Sequence, residues 1–586
     1  MNKCICIATT KKGEQITEGD LPPDCHRTAK LLSKNGWDIV VLIGGTENIE
    51  LVAEKYKNIY GISVFSVHKL CKDSNTSSLG FLDNADCQNS ESLKLQMNSI
   101  LFHEALQILI NKNNYRFDVI EFSDQQGIGF IPIRMNKNLK SYKGSTIVVK
   151  LQSPRIWIKE ISEIYPNSED IKIDYMERYA FENADLQISS NEVLLKWVEL
   201  RGWKHGNDVC ILNNEFSDTK PGDNEESSEI DNSNRVLDLY GSMMQTREKR
   251  VTFGKEHNQK LPWVTIIIPT RDITTAAYLE KTLSALTNQS YKNMKILIND
   301  ESVDPEAIFA LNKIEKNYPQ ISILRGEPNG IGKALNRALQ LVDSKYVIEV
   351  DADNLPMSDM VETFVRCMEN RSDVAALSCY NIIFKDEEEN KLEEYLSDHP
   401  GSIYMTDRCY RPLGPCMPSL FFENAQGDAN SIFLSKALRS IGGWPEDNKG
   451  PQDWGLWLKL LANGFEMDVI PKYLYYYRDR LNSECKKLDI HHADEANINI
   501  IISIIRNRPE YFSRYCYGDM HRLMRSIITD SNRQQNESSA AFDELNSIKE
   551  GALYVVGIKL GNMAARSKIL KKFFINMRYI LRELLE

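Results

Sequence analysis

The sequence lacks any apolar run long enough to cross a bilayer. Its densest stretch, Ile498 to Ile505, is broken by Asn499 and Ser503 and followed at once by Arg506. It lacks basic excess: the formal net charge is −11, whereas a nucleic-acid binder would show a basic face. It lacks paired cysteine spacing, because twelve cysteines are scattered along 586 residues. That pattern belongs to a reduced, cytosolic compartment rather than a disulfide framework. No fixed-period repeat occurs, which excludes solenoid architectures. A complete dinucleotide fingerprint is also missing. Gly127-Ile128-Gly129 follows a strand pattern but has neither the third glycine nor the later acidic residue. The opening run Met1 to Ala8 is too short for a secretory leader and reads as a first strand.

What is present is ordinary globular composition, 42% hydrophobic and 26% charged. The length exceeds what one core fills, so three or four domains are expected. Residues 1–215 alternate strand and helix. Strands are expected over 3–10, 37–44, 62–68, 117–122, 146–151 and 186–189, with helices over 25–35, 91–111, 177–184 and 192–201. Such alternation implies a mostly parallel sheet covered on both faces. Residues 216–262 are polar and read as a linker with one helix near 236–244. Residues 263–490 resume the alternation, and 491–586 read as helices. Within the last segment Lys568, Lys571, Lys572, Arg578 and Arg582 line up beside Phe573, Phe574, Ile580 and Leu584. A helix lying on a membrane surface has this pattern. A helix packed on the body or on a second subunit of a homodimer has it too.

The informative stretch is Lys345 to Asn354, a buried-strand pattern that ends in Asp351 and Asp353. Side chains of an extended segment repeat every second residue, so the two carboxylates point the same way. Ligands of open α/β sheets bind just beyond the carboxyl ends of the strands. Two aspartates there can share a hard divalent cation that also holds a substrate phosphate; the alternative is a helix cap near Pro356. Two other strand patterns also end in polar clusters, 263–272 at Asp272 and 295–299 at Asp300. If the sheet is parallel, all three ends share one edge and gather a nucleotide-sized site.

In order, Ile267-Ile268-Pro269-Thr270, Asn299-Asp300-Glu301-Ser302, Asn329-Gly330 with Ala334 and Asn336, Asp351-Ala352-Asp353, Gly442-Gly443-Trp444 and Gln452-Asp453-Trp454-Gly455-Leu456-Trp457 occur along the chain. This series resembles the GT-A fold catalytic domain of family 2 inverting glycosyltransferases. The first half carries the loop 13–24 with Thr28-Ala29-Lys30-Leu31-Leu32, then Asn35 to Val41, Phe117 to Phe122, Val148 to Pro154 and Glu177 to Asp185. It resembles the amino-terminal Rossmann-like domain of two-domain, GT-B type glycosyltransferases. In that family a second Rossmann domain holds the sugar nucleotide, and none follows here. The resemblance therefore implies an acceptor-binding or docking domain, or a scaffold that only packs. The expected fold class is α/β: a Rossmann-like domain, a GT-A nucleotide-diphospho-sugar transferase domain and a helical carboxy-terminal region.

The resemblance implies transfer of a hexosyl or N-acetylhexosaminyl group from a nucleoside-diphosphate sugar to a glycan, lipid-linked or protein acceptor, in polysaccharide synthesis or protein glycosylation. The enzyme would be cytoplasmic or peripheral on the inner membrane face. Asp351 and Asp353 would hold Mn²⁺ or Mg²⁺, with Asp351 also near the ribose, and Asp453 would be the base. A helix N-cap explains the position of Asp453 equally simply. Pro269, Thr270 and Asp272 would wall the nucleotide base, and Asp300 would accept from the base or ribose. Lys333 would face a phosphate or stand in solvent. The run Tyr477-Arg478-Asp479-Arg480-Leu481-Asn482-Ser483 has Arg480 where the family carries a metal-ligating His. A guanidinium pairs with phosphate, so Arg480, with Arg478, is expected at the diphosphate. Asn299, Glu301, Leu335 and Gln452 are further departures from the family pattern. Two rivals follow: a non-catalytic glycan- or nucleotide-sugar-binding protein on a decayed transferase, and a nucleotidyltransferase, whose Gly-rich activation loop is missing.

Overall fold

The structure, a computed structural model, describes residues 3–10, 20–45, 49–74, 76, 78–79, 89–206, 209–212, 234–242, 261–271, 273–421, 423–446, 452–480, 500–501 and 504. The basic segment 558–586, the loop 13–19 and Asp272 lie outside the described residues. The chain divides into two compact units, 1–259 and 260–586. No helix among the described residues is long and apolar enough to cross a membrane.

In the first unit seven parallel strands form one sheet: β1 (Lys3–Thr10), β2 (Trp37–Gly44), β3 (Ser63–Ser66), β4 (Val119–Ser123), β5 (Thr146–Leu151), β6 (Leu186–Ser189) and β7 (Cys210–Ile211). Their order is β3-β2-β1-β4-β5-β6-β7, so the winding reverses between β1 and β4, as in doubly wound sheets. Strands buried on both faces need continuous apolar runs, and β1 and β2 supply them. Cys6, Ala8, Val40 and Leu42 pack on one face. Ile5, Ile7, Ile39 and Val41 pack on the other.

Several elements differ from the sequence expectation for local reasons. The strand expected over 62–68 is confined to Ser63–Ser66, because the Ser66 hydroxyl caps Lys69 N–H and starts the helix Val67–Asp73. The helix expected over 177–184 spans Ser168–Glu182, begun by a reciprocal Asn167–Asp170 capping box. Helices Glu50–Tyr60 and Phe130–Leu139 carry no strong cap and were not expected. The helix 234–242, inside the polar stretch expected to be a linker, sets Val236, Leu237, Leu239 and Tyr240 against the Ile5/Ile39 face.

The second unit is built on a nine-stranded sheet. Its strands are β8 (Val264–Thr270), β9 (Met294–Asp300), β10 (Ile321–Arg325), β11 (Tyr346–Glu349), β12 (Leu355–Pro356), β13 (Ala376–Lys385), β14 (Cys409–Tyr410), β15 (Ile432–Leu434) and β16 (Met467–Asp479). The order is β10-β9-β8-β11-β15-β13-β16-β12, with β14 on β13. Strands β10, β9, β8 and β11 are parallel neighbours, so their carboxyl ends share one edge. Strand β15 then runs antiparallel to β11. The tyrosines 473–477 lie within β16, with Tyr475 and Tyr476 buried in the core.

Close backbone approaches fix the helix Ile331–Gln340 beside that edge. A Cβ on Gly332 would stand 1.8 Å from the Pro445 carbonyl oxygen, and one on Gly443, at φ +71°, 1.9 Å from Asn336 Oδ1. Asn336 holds the approaching segment from both sides, accepting from Trp444 N–H at 2.8 Å and donating to its carbonyl at 3.0 Å. The Trp444 indole in turn donates to Glu349 at 2.7 Å. Gly332→Ala is therefore expected to destabilise the second unit by roughly 1–3 kcal/mol. A fall in the urea midpoint, followed by fluorescence of the buried Trp444 and Trp457, checks this.

Candidate active site

The site grows from the end of β11. Beyond Glu349 the chain turns through Asp351 to Asn354, and the Thr282 hydroxyl ties this turn by donating to the carbonyls of Ala352 at 2.9 Å and Asn354 at 2.8 Å. Asn430 clamps Asp351 twice, accepting from its N–H and donating to its carboxylate, each at 3.2 Å. Asn354 donates to the same carboxylate oxygen at 3.1 Å. Asp353 is buried, and its Oδ2 lies 2.7 Å from Arg480 Nε.

Asp453 opens the helix Gln452–Ala462. Its two oxygens accept from Trp454 N–H at 2.8 Å and Asn424 Nδ2 at 2.9 Å. Burial pushes its carboxyl up to about 7, and the neighbouring Asp428 charge adds to the rise. Asp351 is pushed well above the carboxylate range by burial and then by the charges of Asp353, Asp428 and Asp453. Burial also raises Asp353, against the pull of Arg480 and Arg478. The aspartates 351, 353 and 453, far apart in sequence, are thus within electrostatic reach in one cluster.

The other expected residues divide. Thr270 and Asp300 are buried and face each other across the β8–β9 register, with Pro269 paired to Asn299. Asp300 accepts from Ser302 N–H at 2.9 Å. Lys333 is exposed in the first turn of its helix. Arg478 is held by acidic partners of its own. It is buried, paired with Asp386 at 2.9 Å and with Glu389, and stacked 4.1 Å over the Tyr278 ring. Its backbone N–H and Nε hold Asn354 and the Asp353 carbonyl, so it braces the turn that presents Asp353. Arg480 alone of the pair reaches a cluster carboxylate.

Three contributors were not singled out from sequence. Asp428 sits among Asn381, which donates to it at 2.9 Å, and Asn430, whose N–H donates at 3.1 Å. It raises Asp351, Asp453 and Glu349 alike. Its only sequence signal is a Gly-Asp-x-Asn turn before the short β15. Glu349, buried one turn of strand below Asp351, is pushed well up by burial and by that aspartate. Arg337 explains two departures from the family pattern. It donates to Asn299 at 3.0 Å and approaches Glu301 at 3.4 Å, while Glu301 accepts from Gly330 N–H at 3.1 Å. Asn299 and Glu301 thereby fix the start of the helix Ile331–Gln340.

The donor set suits a hard cation in its chemistry: carboxylate oxygens one residue apart, crowded by like charge and lacking enough cations to balance them. Among the described residues no third His, Cys, Asp or Glu completes a ligating group, so phosphate and water oxygens would supply the remaining positions.

Because the native Asp453 carboxyl titrates near 7 rather than at its unfolded value of 3.8, the folded state binds that proton more tightly. Stability is therefore lost as pH rises from about 4 to about 7. Asp453→Asn removes this loss. The variant should match wild type in stability near pH 4 and exceed it at pH 8, by on the order of 4 kcal/mol. Thermal melts at the two pH values measure the difference.

Residues 265–424 match the family described as Glycosyl transferase family 2, and this stretch is a domain of that family. Asp428, Asp453, Arg478 and Arg480 lie beyond the matched residues. An uncharacterized glycosyltransferase of Methanocaldococcus jannaschii is 24% identical over 219 residues, 37% of this chain and 71% of that protein. A hyaluronan synthase of Pasteurella multocida is 26% identical over 347 residues, 56% of this chain and 32% of the synthase; the chain thus spans under a third of that relative's length. Among solved structures, a mannosyltransferase from Pyrobaculum calidifontis in complex with GDP-Man and Mn²⁺ aligns at 16% identity and a TM-score of 0.34, covering 59% of this chain and 94% of the other.

Proposed function

We propose, from the family 2 glycosyltransferase domain over residues 265–424, that this chain moves a hexosyl or N-acetylhexosaminyl group from a nucleoside-diphosphate sugar to an acceptor hydroxyl in glycan or surface-polysaccharide synthesis. The observation that carries this reading is that the charge of Asp453, at a helix start, acts on Asp351, at a strand end. A base and a diphosphate site must adjoin in such a reaction, because the hydroxyl attacks the carbon that the diphosphate leaves.

Asp453 takes the acceptor proton. An alcohol is a poor nucleophile at neutral pH, and a base is most effective when its own pKa lies near the working pH. Burial brings Asp453 to about 7, and the Asn424 amide fixes the oxygen that receives the proton. Direct attack by the acceptor inverts the anomeric centre. Pro269, Thr270 and Asp300 line the first two strand ends for the nucleotide, and Asp272 joins them in this reading on its sequence motif alone. Arg480, at the rim beside Asp353, is the fixed positive group for the diphosphate, and Lys333 is a second candidate from the adjacent helix. A divalent cation on Asp351 and Asp353 would neutralise the charge developing on the leaving diphosphate. The first unit supplies an acceptor-binding or docking surface.

The test is a screen of UDP-, GDP-, CDP- and dTDP-sugars with Mn²⁺ or Mg²⁺ for release of nucleoside diphosphate. Release is expected with at least one donor, with kcat lowered ~10²–10⁴-fold in Asp453→Asn while donor affinity is kept. Because the base must be ionised, kcat/KM should fall as pH drops below about 7. Donor binding without release, across the whole panel, would sink the reading in favour of a binding protein.

A further inference from the structure

The first unit holds a cavity of about 480 Å³ at the carboxyl ends of β1, β4 and β5. It is formed by Thr9 and Thr10 of β1, Glu121 and Ser123 of β4, Lys150 and Gln152 at the end of β5, and the start of the helix Pro23–Lys34. This is where the winding reverses between β1 and β4. Crevices at such reversals are the ligand sites of doubly wound sheets, and the volume lies within the range of small-molecule pockets.

The charged groups of the cavity are unequally engaged. Asp24 accepts from Gln152 Nε2 at 2.6 Å. Glu121 accepts from the buried Tyr240 hydroxyl. Asp20 pairs with Lys55 at 2.7 Å. Lys150 is only 7% exposed, and its ammonium makes no hydrogen bond or ion pair with a described residue. The Thr10 hydroxyl on the same cavity is also buried without a hydrogen-bond partner among the described residues. The Lys150 charge acts on Glu121 without a hydrogen bond to it, and an anion seated directly on the ammonium would offset more of the cost of burying it. Three carboxylates around one ammonium repel a multiply charged ligand such as a diphosphate. They suit hydroxyl groups, which can donate to them. Burial lifts Glu121 to about 7, so it can also donate to a hydroxyl oxygen.

We infer that this cavity is a second ligand site, separate in chemistry from the nucleotide site, for a hydroxylated small molecule carrying one anionic group seated on Lys150. A sugar acid and a sugar monophosphate share that chemistry. The inference does not depend on the transferase reading of the second unit.

Calorimetry on the full chain with glucuronate, glucose 1-phosphate and glucose tests it. At least one anionic probe should bind ten times or more tightly than glucose, and the better of the two identifies the anion. Lys150→Met should weaken that probe at least tenfold, Lys150→Arg by no more than a few-fold, and Asp453→Asn not at all. Hydrogen exchange on the wild-type protein is independent of whether Lys150→Met folds. The anionic probe should slow exchange over 121–125 and 150–153. Absence of binding by all three probes, equal binding of glucose, unchanged affinity in a folded Lys150→Met, or protection confined to the second unit would each overturn the proposal.

Discussion

Crowded negative charge governs the second unit. Burial raises Glu349, Asp351, Asp353, Asp428 and Asp453 alike, and repulsion from neighbouring carboxylates adds to the rise of Glu349, Asp351 and Asp453. Carboxylates in this condition resist ionising together. The fold answers with individually placed dipoles and cations: the Trp444 indole on Glu349, Asn430 on Asp351, Arg480 on Asp353 and Asn424 on Asp453. These contacts leave the carboxyls of Asp351 and Asp453 raised, the condition on which the proposed cation site and proton acceptor rest. A core built for stability alone would not retain such an arrangement, since apolar side chains of similar volume cost less to bury.

Holding the cluster in place requires stiffness in the surrounding backbone. Gly332 and Gly443 let two segments touch where any Cβ would collide. Asn336 and Trp444 then join the helix Ile331–Gln340 to the base of β11 by three hydrogen bonds. Arg478 performs the equivalent task on the other flank, tying the 353–354 turn to Asp386 and Glu389. The arginine pair therefore divides its work. One member pairs with Asp386 and Glu389, and its neighbour two residues on pairs with Asp353, because residues leaving β16 meet different surroundings.

The two units apply the same rule of parallel-strand ends with opposite electrostatic outcomes. In the second unit, buried carboxylates crowd one another, which suits the proposed cation. In the first, the carboxylates of the cavity hold hydrogen-bonded or ion-paired partners, while the Lys150 ammonium makes no hydrogen bond with a described residue. Strand ends of parallel sheets leave backbone and side-chain groups pointing into open space, and the residues placed there decide which ligand charge is accepted.

Much of this was legible in the sequence. Apolar runs and period-two alternation marked the strands, and the helices expected over 91–111 and 192–201 form at Glu91–Asn111 and Glu192–Leu200. Asp351, Asp353 and Asp453 were identified by motif order. These features are local, set by each residue and its near neighbours. Asp428, Arg337 and the engagement of Arg478 were not legible, nor was the place of Tyr240 in the first unit's core. Each depends on partners tens of residues away, brought close only when strands pair out of sequence order. The sequence by itself determined which residues could carry charge to a strand end. Tertiary structure decided which of those charges met, because repulsion and burial act through space and depend on the company a side chain keeps after folding.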